Sequence, residues 1–231
     1  MGTKIKAKKF IFVVLALLVS GCGRANMKVP VPLGANNGNV GVVWKPTLEK
    51  PQYIQEGAQG LLEVVATNMI VGGPLPAKIE TVTLNAYIEK YYLNEASSRL
   101  SGTKAKAFLV KTPLKNEDMK HVDAQSDRYF WIDFTSYKEK FGLDYVIYAE
   151  VKVQAKQYYF SVIATSPPKG FTTLDVYVIQ TKDNALVGEF HTKEEVEPIG
   201  EWNEPPDYPK VIDAIEASIR EATKKAYNYL F

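Results

Sequence analysis

Hydrophobic and polar positions alternate in several parts of the chain and predict a set of strands. Residues 40–44 form a short β-branched apolar run, which is typical of a strand. Residues 144–153 begin continuously apolar and end alternating, which predicts a central strand with one end at solvent. Residues 172–181 and 185–191 flank a tight polar turn and predict a β-hairpin.

Helical spacing of apolar residues appears in three places. It predicts helices over 53–70, over 84–100 and from Pro209 to the end of the chain, with Asp207 as the N-cap of the last. The remaining pattern predicts strands at 106–112, 129–134 and 157–164, a helical turn at 136–141, and loops at 115–127 and 194–209.

This order of elements predicts an α/β (α+β layered) domain. Its sheet is expected to be mixed and largely antiparallel, with helices packed on it, including a C-terminal amphipathic helix. An apolar content of 46% and an aromatic content of 12% can fill one core. We therefore predict three segments: a signal peptide at 1–21, a tether at 22–39 rich in proline, glycine and asparagine, and one globular domain at 40–231.

The amino terminus combines a lysine-rich start with an apolar run at 10–19, too short to span a bilayer as a helix. The run closes with Val19, Ser20, Gly21 and Cys22, which resembles a bacterial lipobox. The resemblance implies signal-peptidase recognition through Val19–Gly21 and diacylglycerol and palmitate-type chains on Cys22. The protein would then be anchored to a membrane through its acyl chains. An uncleaved signal anchor is the alternative.

The residue after Cys22 is glycine rather than aspartate. In a Gram-negative host, lipoproteins with this pattern are sorted to the outer membrane, where they face the periplasm. Four lysines and no acids lie in the predicted signal peptide, so its removal leaves 24 basic and 26 acidic side chains. This balance argues against a nucleic-acid partner. One cysteine cannot form a disulfide within the chain.

The candidate chemistry is sparse. His121 and His191 are the only histidines, and no nucleophile motif accompanies them. Neither spacing suits a metal site, and no glycine-rich phosphate loop is present. We therefore predict no catalytic residue, no metal, no cofactor and no enzymatic activity. A periplasmic hydrolase that uses either histidine remains a third hypothesis.

Two kinds of side chain form a candidate partner surface. Aromatic residues anchor interfaces, and acidic residues attract a basic partner. The candidates are Tyr91, Tyr92, Trp131, Glu194, Glu195 and Glu197. The competing interpretation is core packing for the aromatic residues and a solvated loop for the acidic ones.

Several segments together resemble bacterial envelope lipoproteins with a TolB amino-terminal-like α/β domain. They are the lipobox, the strand at 40–44, the segments 141–153 and 174–190, and the closing helix. Related domains occur in the curli secretion lipoprotein and in lipoprotein activators of penicillin-binding proteins. The resemblance implies a module that docks other envelope proteins and carries no catalytic residues. The chain lacks the pair of long lipid-facing hairpins that a curli-type pore needs.

The leading hypothesis is a lipid-anchored periplasmic protein that binds another envelope component and supports assembly or regulation of an envelope complex. The alternative is a periplasmic carrier or sensor of a small apolar or glycan ligand. Homo-oligomerisation through an open strand edge is left open by the sequence.

Overall fold

A mixed sheet of seven strands forms the centre of the fold. The computed structural model describes residue 33 and residues 38–58, 74–122, 129–161, 163–204 and 207–231. The strands are β1 (Asn39–Pro46), β2 (Gln52–Ala58), β3 (Lys106–Leu109), β4 (Tyr145–Phe160), β5 (Ile163–Ala164), β6 (Lys169–Gln180) and β7 (Ala185–Val196). The predicted fold class is confirmed.

The sheet is organised around β4, which is its longest strand. The main strand order is β3-β1-β4-β6-β7, with β6 and β7 antiparallel to their neighbours. On the other side of β4, β1 pairs in parallel with its first half and β2 with its second half. The short β5 pairs with the end of β4. The predicted central strand and the predicted hairpin are both confirmed.

The prediction of separate strands at 144–153 and 157–164 is wrong, because β4 runs unbroken to Phe160. The polar residues at 154–157 suggested a break. In the fold they have partners instead: Gln154 pairs with Phe171 on β6, and the Gln157 amide donates to the carbonyl of Ser166 at 2.9 Å. The backbone pairing with β6 and a hydrogen bond to the loop before β6 therefore accommodate polar residues within an unbroken strand.

The predicted helix at 53–70 is wrong for its first six residues, which lie in β2. Tyr53 pairs with Ala155 across the sheet. Its hydroxyl donates to Gln157 and lies 3.1 Å from the hydroxyl of Tyr159. Residues 59–70 lie outside the described residues, so that part of the helix stays a prediction.

Helices pack on the sheet. They are α1 (Pro74–Glu80), α2 (Leu84–Tyr87), a π-helical stretch (Ile88–Leu93), α3 (Asn94–Ser101), α4 (Thr135–Phe141) and α5 (Pro209–Leu230), with a 3₁₀ turn at Asn116–Asp118. The predicted helices at 84–100, 136–141 and 209–230 are confirmed. Within the described parts of the chain, no helix combines the length and the apolarity needed to cross a membrane.

The π-helical stretch corrects the phase of the helix that runs from Leu84 to Ser101. Its buried residues are Leu84, Ile88, Tyr92, Leu93, Ala96 and Leu100. Steps of four residues overshoot an α-helical turn, so such a stripe drifts around an ordinary helix by about 40° per step. A π turn holds more residues and takes up this drift. With a fixed α-helical period, Ala96 and Leu100 would drift off the apolar face, whereas both are buried in the structure.

The two faces of the sheet carry separate cores. On the first face, which includes Trp44 and Ala149, a large core forms with α1, the 84–101 helix and α5. On the second face, a smaller aromatic core around Tyr148 and Tyr177 packs under residues 110–119 and 130–137. Leu33 is buried in the first core. Packed structure therefore reaches into the predicted tether.

Three further local predictions need correction. Residues 129–134 form isolated bridges at Tyr129 and Ile132 rather than a strand. The predicted loop at 194–209 starts later, since β7 continues to Val196. Helix α5 is preceded by Tyr208 in a left-handed conformation (φ 47°), while Asp207 pairs with Lys78 at 2.8 Å instead of capping.

Candidate functional site

The second face of the sheet is polar and solvent-accessible beyond its aromatic core. We call this region the open face. Alternate residues of three strands form it: Glu150, Lys152, Lys156 and Tyr158 on β4, Lys169, Phe171, Thr173 and Asp175 on β6, and His191, Lys193, Glu195 and Glu197 next to and on β7. All of these side chains are half-buried or exposed. Their alternation with buried neighbours reflects the two-residue period of a strand.

A histidine lies between two carboxylates on this face. His191 pairs across the strands with Asp175, and its Nδ1 lies 2.9 Å from Oδ1 of that residue. Its Nε2 contacts the carboxylate of Glu189. Burial alone would lower the pKa of His191, but the hydrogen bonds to Asp175 and Glu189 outweigh burial and raise it. The ring is therefore stabilised in its protonated form, which bridges the two acids.

We expect His191 to make stability depend on pH. The folded-state pKa is raised, so the stabilisation is complete below the unfolded-state pKa of about 6.5 and is lost as pH rises through the folded-state value. Urea unfolding of the wild type and of His191→Gln should show a stability difference that is largest near about pH 5.5. This difference should shrink by up to about 1 kcal/mol at alkaline pH, since the site is partly exposed. A difference that stays constant or grows with pH would contradict this account.

Lysines, glutamates and aromatic rings contact one another on the part of the open face that lies away from the aromatic core. We call this cluster of side chains the ladder; its members are Glu56, Lys156, Tyr158, Lys169, Phe171, Glu195 and Glu197. Lys156 pairs with Glu56 of β2 at 2.6 Å, and its Nζ lies 3.8 Å from the ring centre of Phe171. Lys169 pairs with Glu195 at 3.0 Å and with Glu197 at 2.8 Å. Both lysine side chains are largely shielded, with 14% and 17% of their surface exposed. The charges are thus held in fixed positions.

Hydrogen bonds shift the pKa values of two charged groups in the ladder, Glu195 and Lys169. The hydroxyl of Tyr158 donates to Glu195 at 2.8 Å. Burial raises the pKa of Glu195, but the bonds from Lys169 and Tyr158 lower it below its ordinary value overall. Glu197 and Glu195 raise the pKa of Lys169. These groups therefore stay charged over the physiological range.

The structure does not bring the six predicted partner-surface residues together. Only Glu195 and Glu197 lie in the ladder. Glu194 is on the first face and pairs with Lys225 at 2.7 Å. Tyr92 is completely buried and cannot contact a partner in this fold.

The other two aromatic candidates contact neighbouring groups of the chain. The hydroxyl of Tyr91 donates to Glu216. Trp131 packs on Phe130 and Tyr177, with ring centres 4.0 and 5.1 Å away.

Sequence reasoning missed most of the open face. Lys156, Lys169 and Phe171 lie outside the strands predicted from the sequence, and Asp175 was treated only as a member of a strand pattern. The sequence does contain a signal here, the period of two at Lys169, Phe171, Thr173 and Asp175. In the structure these residues point to the same side of the sheet as the lysines and the glutamate of β4. Cys22 and the recognition residues Val19–Gly21 lie outside the described residues and stay predictions.

The two histidines lie in different surroundings. His121 is exposed and forms an isolated bridge with Ile132, whereas His191 belongs to the open face. In the described parts of the chain, no three His, Cys, Asp or Glu side chains are grouped so that they could hold a metal ion.

Comparisons with known proteins give distant structural neighbours only. No family model and no curated protein matches the chain. A hypothetical protein from Chlamydia trachomatis is similar at 11% identity and a TM-score of 0.38, covering 84% of this chain and 98% of its own. A protein from Xanthomonas campestris assigned to a family of unknown function shows 10% identity and a TM-score of 0.42, covering 87% of each chain.

A third neighbour is a lipoprotein from Neisseria meningitidis. It shows 10% identity and a TM-score of 0.25, covering 79% of this chain and 96% of its own. None of the three is described as a TolB domain, so that relationship stays a prediction.

Proposed function

We propose that this protein is a lipid-anchored envelope protein whose open face binds another envelope protein. The observation that carries the proposal is the ladder of Lys156 and Lys169 on the open face. The predicted lipobox at Cys22 supports the anchor, and Gly23 supports an outer-membrane position facing the periplasm in a Gram-negative host. No catalytic role is assigned to any residue.

The ladder suits a protein partner for an energetic reason. Binding usually loses free energy when mobile side chains become fixed, about 0.5–1.5 kcal/mol for each flexible one. Lys156 and Lys169 are already held by glutamates and lie near aromatic rings. A partner can therefore contact Phe171 and Tyr158 without ordering the long side chains beside them.

The charge pattern supports the same class of partner. Positively charged lysines and negatively charged acids alternate over the open face. The face therefore does not present the uniformly positive field that attracts a polyanion. Alternating charges fix the register of two protein surfaces and exclude wrong partners. We therefore expect an envelope protein with a complementary mixed-charge surface and an apolar contact for Phe171.

Site-specific photocrosslinking tests this proposal. A benzophenone amino acid replaces Phe171 or Tyr158 in the acylated protein in native membranes, and Phe231 at the end of α5 is the matched aromatic control, 40% exposed. We expect the same adduct from both open-face positions and none from 231. Lys169→Glu should lower the adduct yield at least tenfold, about 1.4 kcal/mol. Lys224→Glu, the same charge change at an exposed position of α5, should leave the adduct yield unchanged.

Two results would contradict the proposal. One is an equal adduct from position 231, and the other is no adduct from either open-face position while the protein remains folded and anchored. Thermal unfolding of each variant must match the wild type, so that a lost adduct reports a lost contact.

A carrier of a small apolar ligand is the second candidate function. An apolar cavity of about 260 Å³ lies between the end of β7 and the start of α5, lined in part by Val196, Ile199, Ala214 and Ala217. A small molecule retained there in native mass spectrometry would favour the carrier over the docking protein. Self-association of the chain stays a prediction.

A further inference from the structure

One end of the sheet combines lysines with an exposed aromatic ring. We call it the Gly38 end, because β1 and β4 begin there and β6 ends there. A polar cavity of about 360 Å³ opens at this end. Its lining includes Lys138, Tyr145, Gln180 and Lys182.

The positive charge at the Gly38 end is only partly compensated. Asp144 is already engaged, because one carboxylate oxygen accepts the backbone N–H of Asn39 at 2.9 Å and the other pairs with Lys138. Lys138 and then the Asn39 N–H lower the pKa of Asp144, which keeps it ionised within this contact. Among the described residues, Lys140 and Lys182 have no ion-pair partner and are exposed. Two exposed acids, Glu139 and Asp183, lie next to these lysines in the chain. Lys104 and Lys106 are exposed at the start of β3, beside Asn39, so five lysines face three acids at this end and leave a net positive charge.

An aromatic side chain projects beside these lysines. Phe141 ends α4 and is 57% exposed. The next residue, Gly142, is left-handed (φ 65°), and its carbonyl accepts the Asn39 side chain at 2.9 Å. This hydrogen bond holds the segment that contains Phe141 next to the start of β1. Lysines next to an exposed aromatic ring are typical of surfaces that contact lipid headgroups.

The opposite end of the sheet has the reverse charge. The opposite end lies about 50 Å from the Gly38 end, which is the length of the 16-residue strand β4. Phe160 and Ile163 are exposed there, 70% and 65%, so apolar exposure is common to both ends. Acidic residues accumulate near it in the segment 195–207, with Glu201, Glu204 and Asp207 following the ladder. Among the described residues, the exposed ring therefore lies beside exposed lysines at the Gly38 end and near acidic residues at the opposite end.

We propose that the Gly38 end of the domain rests on a bilayer of anionic phospholipid. The polar cavity receives a lipid phosphate near Lys138 and Lys182, and Phe141 enters the headgroup layer. This inference rests on the proposed anchor at Cys22. Because Leu33 is packed in the first core, the reach is set by the 11 residues from Cys22 to Leu33, which can span up to about 40 Å and so permit the contact. The strands then stand upright on the membrane, and the open face remains accessible to an envelope partner.

The test measures contact between each end and the lipid in the acylated full-length protein. Cys22 is the only cysteine, and its thiol is consumed by acylation, so a new cysteine can be labelled alone. A fluorophore is attached at Phe141→Cys or at Ile163→Cys, the control at the opposite end. Vesicles contain nitroxide-headgroup lipid, with phosphatidylglycerol or with phosphatidylcholine only. We expect at least threefold stronger quenching at 141 than at 163, in anionic vesicles only.

Charge dependence gives a second measurement. Lys140→Glu with Lys182→Glu should lower the ratio of docked to undocked domain roughly tenfold, because lysines near an anionic surface each contribute substantially to attraction. High salt should have a similar effect. Equal quenching at both positions, no quenching at 141, or quenching that ignores lipid charge would each overturn the proposal. Mass spectrometry of the Cys22 peptide decides the anchor separately, so failure of the anchor and failure of the docking are distinguishable.

Discussion

Replacing Asn184 with alanine should lower the free energy of unfolding by about 4 kcal/mol. This side chain fastens the 129–134 segment to the β6–β7 hairpin. Its Nδ2 donates to the carbonyls of Phe130 and Ile132 at 2.8 and 2.9 Å, and its Oδ1 accepts the backbone N–H of Phe134 at 2.9 Å. All three bonds are buried, and alanine would leave their backbone groups without partners.

Two variants separate the causes of this loss. Asn184 has a φ of 60°, which alanine tolerates poorly. Asn184→Gly removes only the side-chain bonds and should cost about 3 kcal/mol. Asn184→Asp keeps size and the acceptor but cannot donate to the two carbonyls, so it should be destabilising as well. Urea unfolding followed by near-ultraviolet circular dichroism measures all three variants. A glycine variant as stable as the wild type would refute the hydrogen-bond explanation.

Replacing Gly170 with alanine should destabilise the fold by about 3 kcal/mol, because it forces α5 away from the sheet. A Cβ at this position would lie 2.2 Å from the carbonyl oxygen of Ala214 and 2.3 Å from its carbon. These are backbone atoms of a long helix, so they cannot move independently. The same close approach allows the hydroxyls of Thr172 and Ser218 to bond at 2.7 Å in the core.

The control for Gly170→Ala is Gly102→Ala. Gly102 has a φ of −77°, and the nearest atom to an added Cβ is 3.7 Å away. This variant should stay within about 0.5 kcal/mol of the wild type. Chemical unfolding of both proteins gives the comparison. If Gly170→Ala is as stable as Gly102→Ala, then α5 has more freedom above β6 than the structure implies.

The amino-acid sequence was informative wherever one element carries its own periodic signal. In α5, the apolar residues whose helical spacing predicted the helix are all buried: Val211, Ile215, Ile219, Ala222 and Ala226. The β6–β7 hairpin was found from its flanking strands and its polar turn. In both cases the pattern follows from helix or strand geometry, which neighbouring residues set locally.

Strand β2 shows why other parts could not be predicted. Its apolar positions suited a helix, yet it pairs in parallel with β4, about a hundred residues later, as in the Lys156–Glu56 ion pair. A strand of this kind is stabilised by its partner rather than by its own residues. The same dependence explains the unbroken course of β4 through Gln154 and Gln157.

The sequence by itself determined the fold class, the principal helices and the hairpin, because each rests on residues close together in the chain. The lipid anchor at Cys22 stays a prediction from the same kind of local pattern. The tertiary structure alone decided which side of the sheet stays open and which charges meet there. Asp175 and His191 face each other only after β6 and β7 pair, and Lys169 meets Glu195 and Glu197 through the same register. It also placed Lys182 and Phe141 at one end of the sheet. Long-range strand pairing sets these positions, and no local pattern encodes its register.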